Sequence, residues 1–323
     1  MKVALWTKYG PPEVLELREV EAPVPQDDEV LIQVHTATVT AGDCEMRRFD
    51  LPAWIWLPVR LYMGIIKPRI SSLGQELAGE IVAVGKDVTE FKPGDQVFAD
   101  TGMSMGAYAG YRCLSVRRPI VIKPDSVSYE AVATIPTGGI NALHFLRKAD
   151  VKAGEKVLIN GAAGSIGTYA VQLATFYGAH VTAVDHTSKL DVLRSLGAHE
   201  VIDYTKEDFT KNKETYDVII DIVGTGSFTR SVRSLNERGR YFLGNPRLSG
   251  MIRGLWTSMT TSKKVLFELA GFNRKDAAYL SGLMQEGTIK AVIDKRYPLE
   301  EIRKAHSYVE EGLKCGNVII NVS

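Results

Sequence analysis

Cysteine is scarce in this 323-residue chain: Cys44, Cys113 and Cys315 are too few and too far apart for a disulfide framework or a four-thiolate zinc knot, and they suit a reducing cytosol. An excess of one charge is also lacking. The 39 Lys and Arg residues stand against 38 Asp and Glu, so no global field gathers nucleic acid or anionic lipid, and nucleic acid is not an expected partner. Long hydrophobic runs are missing as well. The greasiest stretch, residues 51–66, is interrupted by Pro52, Pro58 and Arg60 and falls short of the roughly 18 apolar residues that a membrane helix needs. It reads as a buried or cleft-lining segment, and no membrane span is expected. The first eight residues lack the continuous apolar core of an export signal and read as a strand, which makes a cytoplasmic location the expectation. No internal repeat or low-complexity tract appears.

What is present is an ordinary globular composition, 45% apolar and 24% charged with 29 Gly, in a length that suits two domains. Up to about Val121 the pattern is one of short β-rich runs separated by turn residues, such as Lys92-Pro93-Gly94-Asp95 between the runs ending at Gly85 and starting at Gln96. After Pro124 the period becomes helical, and then apolar runs at residues 156–159, 180–184, 200–202, 217–220 and 240–243 alternate with helical segments. That alternation predicts an α/β fold with a doubly wound parallel sheet. Residues 264–268 offer a sixth strand, residues 277–286 and 299–310 read as helices, and residues 318–322 read as a strand returning to the first domain.

Directly after the run at residues 156–159 comes Asn160-Gly161-Ala162-Ala163-Gly164-Ser165-Ile166-Gly167, followed by a helical pattern. Small residues there let the backbone turn sharply and approach a pyrophosphate, while the N–H groups and dipole of the helix N-terminus favour the anion. Gly161, Gly164, Ser165, Ile166 and Gly167 are therefore candidate dinucleotide contacts. Asp185 ends the next strand, where a carboxylate accepts hydrogen bonds from the adenosine ribose and repels a 2′-phosphate; Lys189 pushes the other way. The balance favours NAD slightly over NADP.

These motifs, with the run at residues 79–85, the segment Phe91-Lys92-Pro93-Gly94-Asp95-Gln96-Val97 and the segment at residues 196–204, resemble the medium-chain dehydrogenase/reductase superfamily, in its zinc-free quinone-oxidoreductase-like branch. The resemblance covers essentially the whole chain. It implies a GroES-like β domain at residues 1–124 completed by residues 272–323, a Rossmann domain at residues 125–271, a cleft where they meet, and a homodimer. Zinc members of that superfamily carry a Cys and a His where this chain has Thr40 and Gln75, and a hydroxyl and an amide do not replace a thiolate and an imidazole in a tetrahedral site. No metal is expected.

The same resemblance supplies the remaining candidates. Thr40, Asp43 and Arg47 match the family's cleft segment, although Asp43 and Arg47 at four-residue spacing could equally form a helical ion pair. Tyr62 and Tyr108 are alternative proton donors or packed rings. Thr137, Gly138 and Asn141 match the helix that faces the nicotinamide, Tyr204 a contact near the adenosine phosphate, and Asn317 a weaker contact near the returning strand. Val223, Gly224, Gly244 and Asn245 follow strands at their C-terminal ends, where open α/β sheets place ligands. Without a Lewis acid, the acceptor must take hydride readily, which points to a small-molecule quinone or α,β-unsaturated carbonyl. A zinc-free alcohol or aldehyde oxidoreductase, and a non-catalytic NAD(P)-binding sensor or scaffold, are the competing readings.

Overall fold

The structure, a computed structural model, describes residues 1–224 and 226–322. It divides into two compact units, the first formed by residues 1–137, 272–287 and 291–323, the second by residues 138–271 and 288–290. The first unit thus runs past Pro124 to Thr137.

The first unit is a β structure. Strand β1 (Lys2–Trp6) pairs antiparallel with β2 (Leu15–Glu19). The main sheet contains β3 (Glu29–Val39), β4 (Glu76–Val84), β5 (Gln96–Asp100), β6 (Tyr111–Ser115) and β7 (Ile120–Ile122). Strand β3 alternates buried Val30, Ile32 and Val34 with half-buried neighbours, the period-two pattern of a sheet that buries one face. The chain's last segment completes this sheet, as the sequence implies: β15 (Asn317–Asn321) pairs antiparallel with β3, and β14 (Ile293–Pro298) pairs parallel with β15. Ile32, Leu77, Val97, Val318 and Ile320 share one core with Trp6, Met63 and Tyr108.

The second unit is a six-stranded sheet in which every pairing is parallel. Its strands are β8 (Lys156–Asn160), β9 (His180–Asp185), β10 (Glu200–Asp203), β11 (Tyr216–Asp221), β12 (Leu235–Leu243) and β13 (Lys264–Leu266), in the order β10-β9-β8-β11-β12-β13. The order reverses direction between β8 and β11, and at such a switch point the loops diverge and leave room for a ligand. Val157, Leu158, Ile159, Val218, Ile219 and Ile220 are all buried, as expected for strands covered on both faces.

One sequence reading is corrected. The apolar stretch at residues 51–66 is not a buried segment; it forms the helix Ala53–Met63, with Trp54, Leu57, Leu61, Tyr62, Ile65 and Ile66 exposed and only Met63 of the helix fully buried. Composition alone records how apolar a helix is, not which neighbours reach it.

Candidate functional site

The phosphate turn of the second unit is shaped by backbone. Gly161 adopts a left-handed φ of +81°, and the N–H groups of Gly161 and Ala162 both donate to the Val184 carbonyl, at 3.1 Å each. A β-carbon on Gly167 would lie 2.3 Å from the Gly161 carbonyl oxygen, so only glycine permits the helix to start so close to the turn. At Gly164 the added carbon would meet nothing nearer than 3.6 Å, leaving an open cradle at the mouth of the turn. Gly164 is also the N-cap of the helix Ser165–Phe176 and provides no capping side chain. The first-turn N–H groups of Ser165, Ile166 and Gly167 have no i−4 carbonyl inside the helix to bond, which makes this end a ready anion site. The cradle fits a dinucleotide pyrophosphate.

Around it stand several of the expected contacts. Val223 packs near the turn, its methyls 3.2 Å and 3.3 Å from a β-carbon placed on Gly161. Gly138 lies against Ser165 and Tyr169, which meet its added β-carbon at 3.0 Å, and Asn141 begins the following helix half-buried. Gly224 has a φ of +66°, and Gly244 donates to the Asp221 carbonyl at 2.8 Å. A cavity of about 400 Å³ opens at these strand ends, lined by Asp221, Gly224, Tyr241, Asn245, Arg247 and Arg253 among others. Tyr204 is exposed, its ring 6.0 Å from that of His186.

Asp185 is engaged differently from the expectation of a carboxylate free to meet a ribose. Its Oδ2 accepts from Ala163 N–H at 2.8 Å, and its Oδ1 accepts from His186 N–H at 2.8 Å. Lys189 Nζ sits 3.3 Å from Oδ1, both side chains being buried. The two groups that were to oppose each other in cofactor choice therefore form one near-neutral pair.

Sequence reading missed Asp221 and Tyr241. Asp221 accepts from Asn160 Nδ2 at 2.9 Å, from Gly224 N–H at 2.9 Å and from the Tyr241 hydroxyl at 2.7 Å, so one buried carboxylate ties β8, β12 and the Gly224 turn together. The available signal was a lone Asp closing an apolar strand.

In the first unit, Thr40 caps the helix Ala41–Arg48 in a reciprocal box. Asp43 N–H donates to Thr40 Oγ1 at 3.1 Å, Thr40 N–H donates to Asp43 Oδ2 at 2.9 Å, and the Thr40 hydroxyl donates to the same Oδ2 at 2.7 Å. Asp43 is fully buried, and desolvation pushes its carboxyl up to about 6 against the pull of the Thr40 bonds. The Tyr108 hydroxyl and the Gly74 backbone also favour its charged form. Burial likewise raises the Glu76 carboxyl to about 7, although the Thr38 hydroxyl and Thr137 N–H both donate to it. Gln75 Oε1 and Thr40 Oγ1 lie 4.0 Å and 3.6 Å from a β-carbon placed on Gly42, so the amide and the hydroxyl face one point.

Most other candidates fall away from this corner, although Tyr108 stays beside Asp43. The helical ion pair between Asp43 and Arg47 does not form: Arg47 is fully buried and turns to Glu310 and to the Gly10 carbonyl, 3.0 Å away. A guanidinium so enclosed supports the fold and does not meet substrate. Tyr108 is buried with its hydroxyl donating to the Thr38 carbonyl at 3.0 Å, and desolvation raises it far above the usual phenol range. Tyr62 is exposed on its helix. Asn317 is buried with its amide donating to the Val292 carbonyl at 3.1 Å, a bond that holds β15 rather than a ligand. Among the described residues no three His, Cys, Asp or Glu side chains gather as a metal site, and the hydroxyl and amide at Thr40 and Gln75 do not fit zinc.

Comparison with known proteins follows this geometry. Residues 26–125 match the family model described as alcohol dehydrogenase GroES-like domain, and residues 196–320 match the one described as zinc-binding dehydrogenase. The chain is 30% identical to 2-methylene-furan-3-one reductase of Solanum lycopersicum over 339 aligned positions, covering 99% of this chain and 79% of that protein. It is also 30% identical to the quinone oxidoreductase of Homo sapiens, covering 94% of this chain and 92% of the relative. The solved quinone oxidoreductase of Coxiella burnetii superposes with a TM-score of 0.89 at 29% identity, covering 100% of this chain and 99% of that one.

Proposed function

Because this chain belongs to the medium-chain dehydrogenase/reductase superfamily, in its quinone-oxidoreductase-like branch, we propose that it is a metal-independent, NAD(P)H-dependent oxidoreductase that delivers hydride to a quinone or an α,β-unsaturated carbonyl. The observation that carries this reading is the facing of the Thr40 hydroxyl and the Gln75 amide at Gly42, where zinc relatives hold a metal. Neutral donors suit an acceptor that needs charge stabilised on oxygen but no Lewis acid.

The dinucleotide, when bound, supplies the hydride. The chain's own work begins at the Gly164 cradle, which accepts the pyrophosphate at the N-terminus of the helix Ser165–Phe176. On the acceptor side, hydride arrival leaves negative charge on a conjugated oxygen. Gln75 is the donor for that oxygen through its amide NH2, once the side chain rotates to bring that group rather than Oε1 to the Gly42 point. The Thr40 hydroxyl, which donates to Asp43 Oδ2 at 2.7 Å, turns to the acceptor's oxygen to give its proton, and the neutral carboxylic acid form of Asp43 returns one to it. Burial raises the Asp43 carboxyl to about 6, so that proton is available as the pH falls through that value; Asp43 acts through Thr40 and is a positioning residue. The chain's preference between NADH and NADPH is slight, since Asp185 and Lys189 neutralise each other.

We assign a homodimer to the second unit. Leu248, Ile252, Leu255, Trp256 and Met259 are exposed along the helix Leu248–Thr260 at helical spacing, beside β13, the edge strand of the sheet. The three cysteines are free thiols, in keeping with a cytoplasmic location.

The test is turnover by purified protein of a panel of soluble quinones, enones, aldehydes and alcohols with each nicotinamide cofactor. Quinone or enone reduction is expected to exceed aldehyde reduction. Preferential alcohol oxidation would instead support the alcohol dehydrogenase reading, and nucleotide binding with no turnover would support a sensor.

A further inference from the structure

The helix Ala53–Met63 and the turn after it present an exposed apolar surface that carries none of the groups given a step in the proposed reaction. Trp54, Leu57 and Leu61 follow one another at helical spacing on its outer side, and Ile65 and Ile66 continue the apolar surface beyond it, Ile66 at 90% exposure. Its inner side is anchored. Met63 is buried, Val59 packs on the core, and the Arg60 guanidinium lies 3.7 Å over the Tyr9 ring and donates to the Ile65 carbonyl at 2.9 Å. The apolar side chains are thus held outward on a fixed frame, which rules out simple collapse into the core.

The charges around this surface choose its occupant. Residues 51–75 contain no Asp or Glu, but contain Arg60, Lys67 and Arg69. Lys67 and Arg69 are exposed and have no ion-pair partner among the described residues. Two tryptophans and a tyrosine beside them complete the composition found at membrane interfaces, where amphipathic rings sit among the headgroups and basic side chains meet lipid phosphate. A second copy of this chain is the poorer fit, because an isologous contact would set these unpaired cations against themselves. The dimer assigned above also uses another helix.

We propose that residues 53–69 dock the protein peripherally on an anionic phospholipid surface, with the Trp54, Leu57, Leu61, Ile65 and Ile66 side chains in the headgroup and acyl boundary and Lys67 and Arg69 on lipid phosphates. The docking stands on this surface alone; only its purpose, access to lipophilic quinones that partition into the bilayer, rests on the proposed function.

The test is sedimentation of the full chain with vesicles of phosphatidylcholine and of phosphatidylcholine mixed with phosphatidylglycerol, without substrate. The protein is expected to pellet with the anionic vesicles and to be released by salt. Lys67→Glu with Arg69→Glu should lower the partition coefficient by about tenfold or more, and Ile65→Ser with Ile66→Ser should lower it on both kinds of vesicle. Both variants should reduce a soluble quinone at the wild-type rate while losing rate on a long-chain quinone held in vesicles. Absence of wild-type binding to anionic vesicles, or unchanged binding by both variants, overturns the proposal. So does conversion of dimer to monomer by Ile65→Ser with Ile66→Ser, which would make a second copy the occupant. Failure of all quinone turnover alongside intact vesicle binding would refute the functional reading and leave the docking standing.

Discussion

The Gly161 to Gly167 turn of the second unit and the Thr40, Asp43 and Glu76 corner of the first are built from opposite materials. In the turn, side chains are small: the backbone folds on itself, the helix N-terminus has no capping side chain, and the cradle at Gly164 is empty of neighbours to 3.6 Å. At the corner, side chains do the work, with two buried carboxyls held near neutrality by desolvation and restrained by threonine donors. Anion binding by backbone depends on shape and tolerates no added carbon. Proton handling depends on burial and tolerates changes of shape better than changes of charge.

The largest effect is expected where shape rules. Gly164→Val should leave the fold intact, because the new side chain points into open space, yet weaken dinucleotide binding by about a hundredfold or more by filling the pyrophosphate path. Titration calorimetry and thermal denaturation on one sample separate the two effects. Gly167→Ala should instead destabilise the unit, since its β-carbon meets the Gly161 carbonyl oxygen at 2.3 Å.

At the corner, Asp43→Asn should lower kcat by about a hundredfold or more, the usual worth of a positioned proton source. The wild-type rate should fall as pH rises through about 6, where Asp43 loses its proton, and the variant's rate should be flat there. A variant with the wild-type pH profile would detach Asp43 from the reaction.

Cofactor choice comes next. Asp185→Asn keeps an acceptor for Ala163 N–H while removing the negative charge that repels a 2′-phosphate and neutralises Lys189, so the NADPH to NADH affinity ratio should rise by about tenfold, on the scale of one charged hydrogen bond. Lys189→Ala should lower that ratio. Direct binding titrations showing no change in either would place both residues away from the ribose.

The smallest effect is on stability. Burial raises the folded-state carboxyl of Glu76 to about 7, above its value in the unfolded chain, so the native state binds more protons between those values and stability declines as pH rises from about 4.5 to 7. Glu76→Gln keeps an acceptor for Thr137 N–H and should reduce that decline by about 2 kcal/mol in denaturant titrations at pH 5 and pH 8. An unchanged slope would mean that Glu76 does not titrate in this range.

The contrast also explains what could be read from sequence. The turn was legible because its requirements are local, small residues between a strand and a helix, and the parallel sheet was legible from apolar runs covered on both faces. Arg47 was misread because its partner Glu310 lies 263 residues away, beyond any spacing rule, while Asp43 at four residues looked like the natural mate. Glu76 drew attention only as a neighbour of the missing zinc ligand; its burial depends on β4 passing beside Thr38 of β3. Gln75 was read as an absence, and the approach of its side chain to Thr40 at Gly42 emerges only in the fold. The stretch holding the helix Ala53–Met63 was read as buried or cleft-lining, and its exposed side went unseen because apolar content does not reveal which side faces solvent.

Metal independence is the claim that separates this account from an alcohol dehydrogenase, and it is tested most directly by measuring metal content and quinone reduction on the same protein before and after exhaustive chelation. The account predicts negligible zinc and an unchanged kcat. Near-stoichiometric zinc, with turnover lost on its removal and restored on its return, would contradict it.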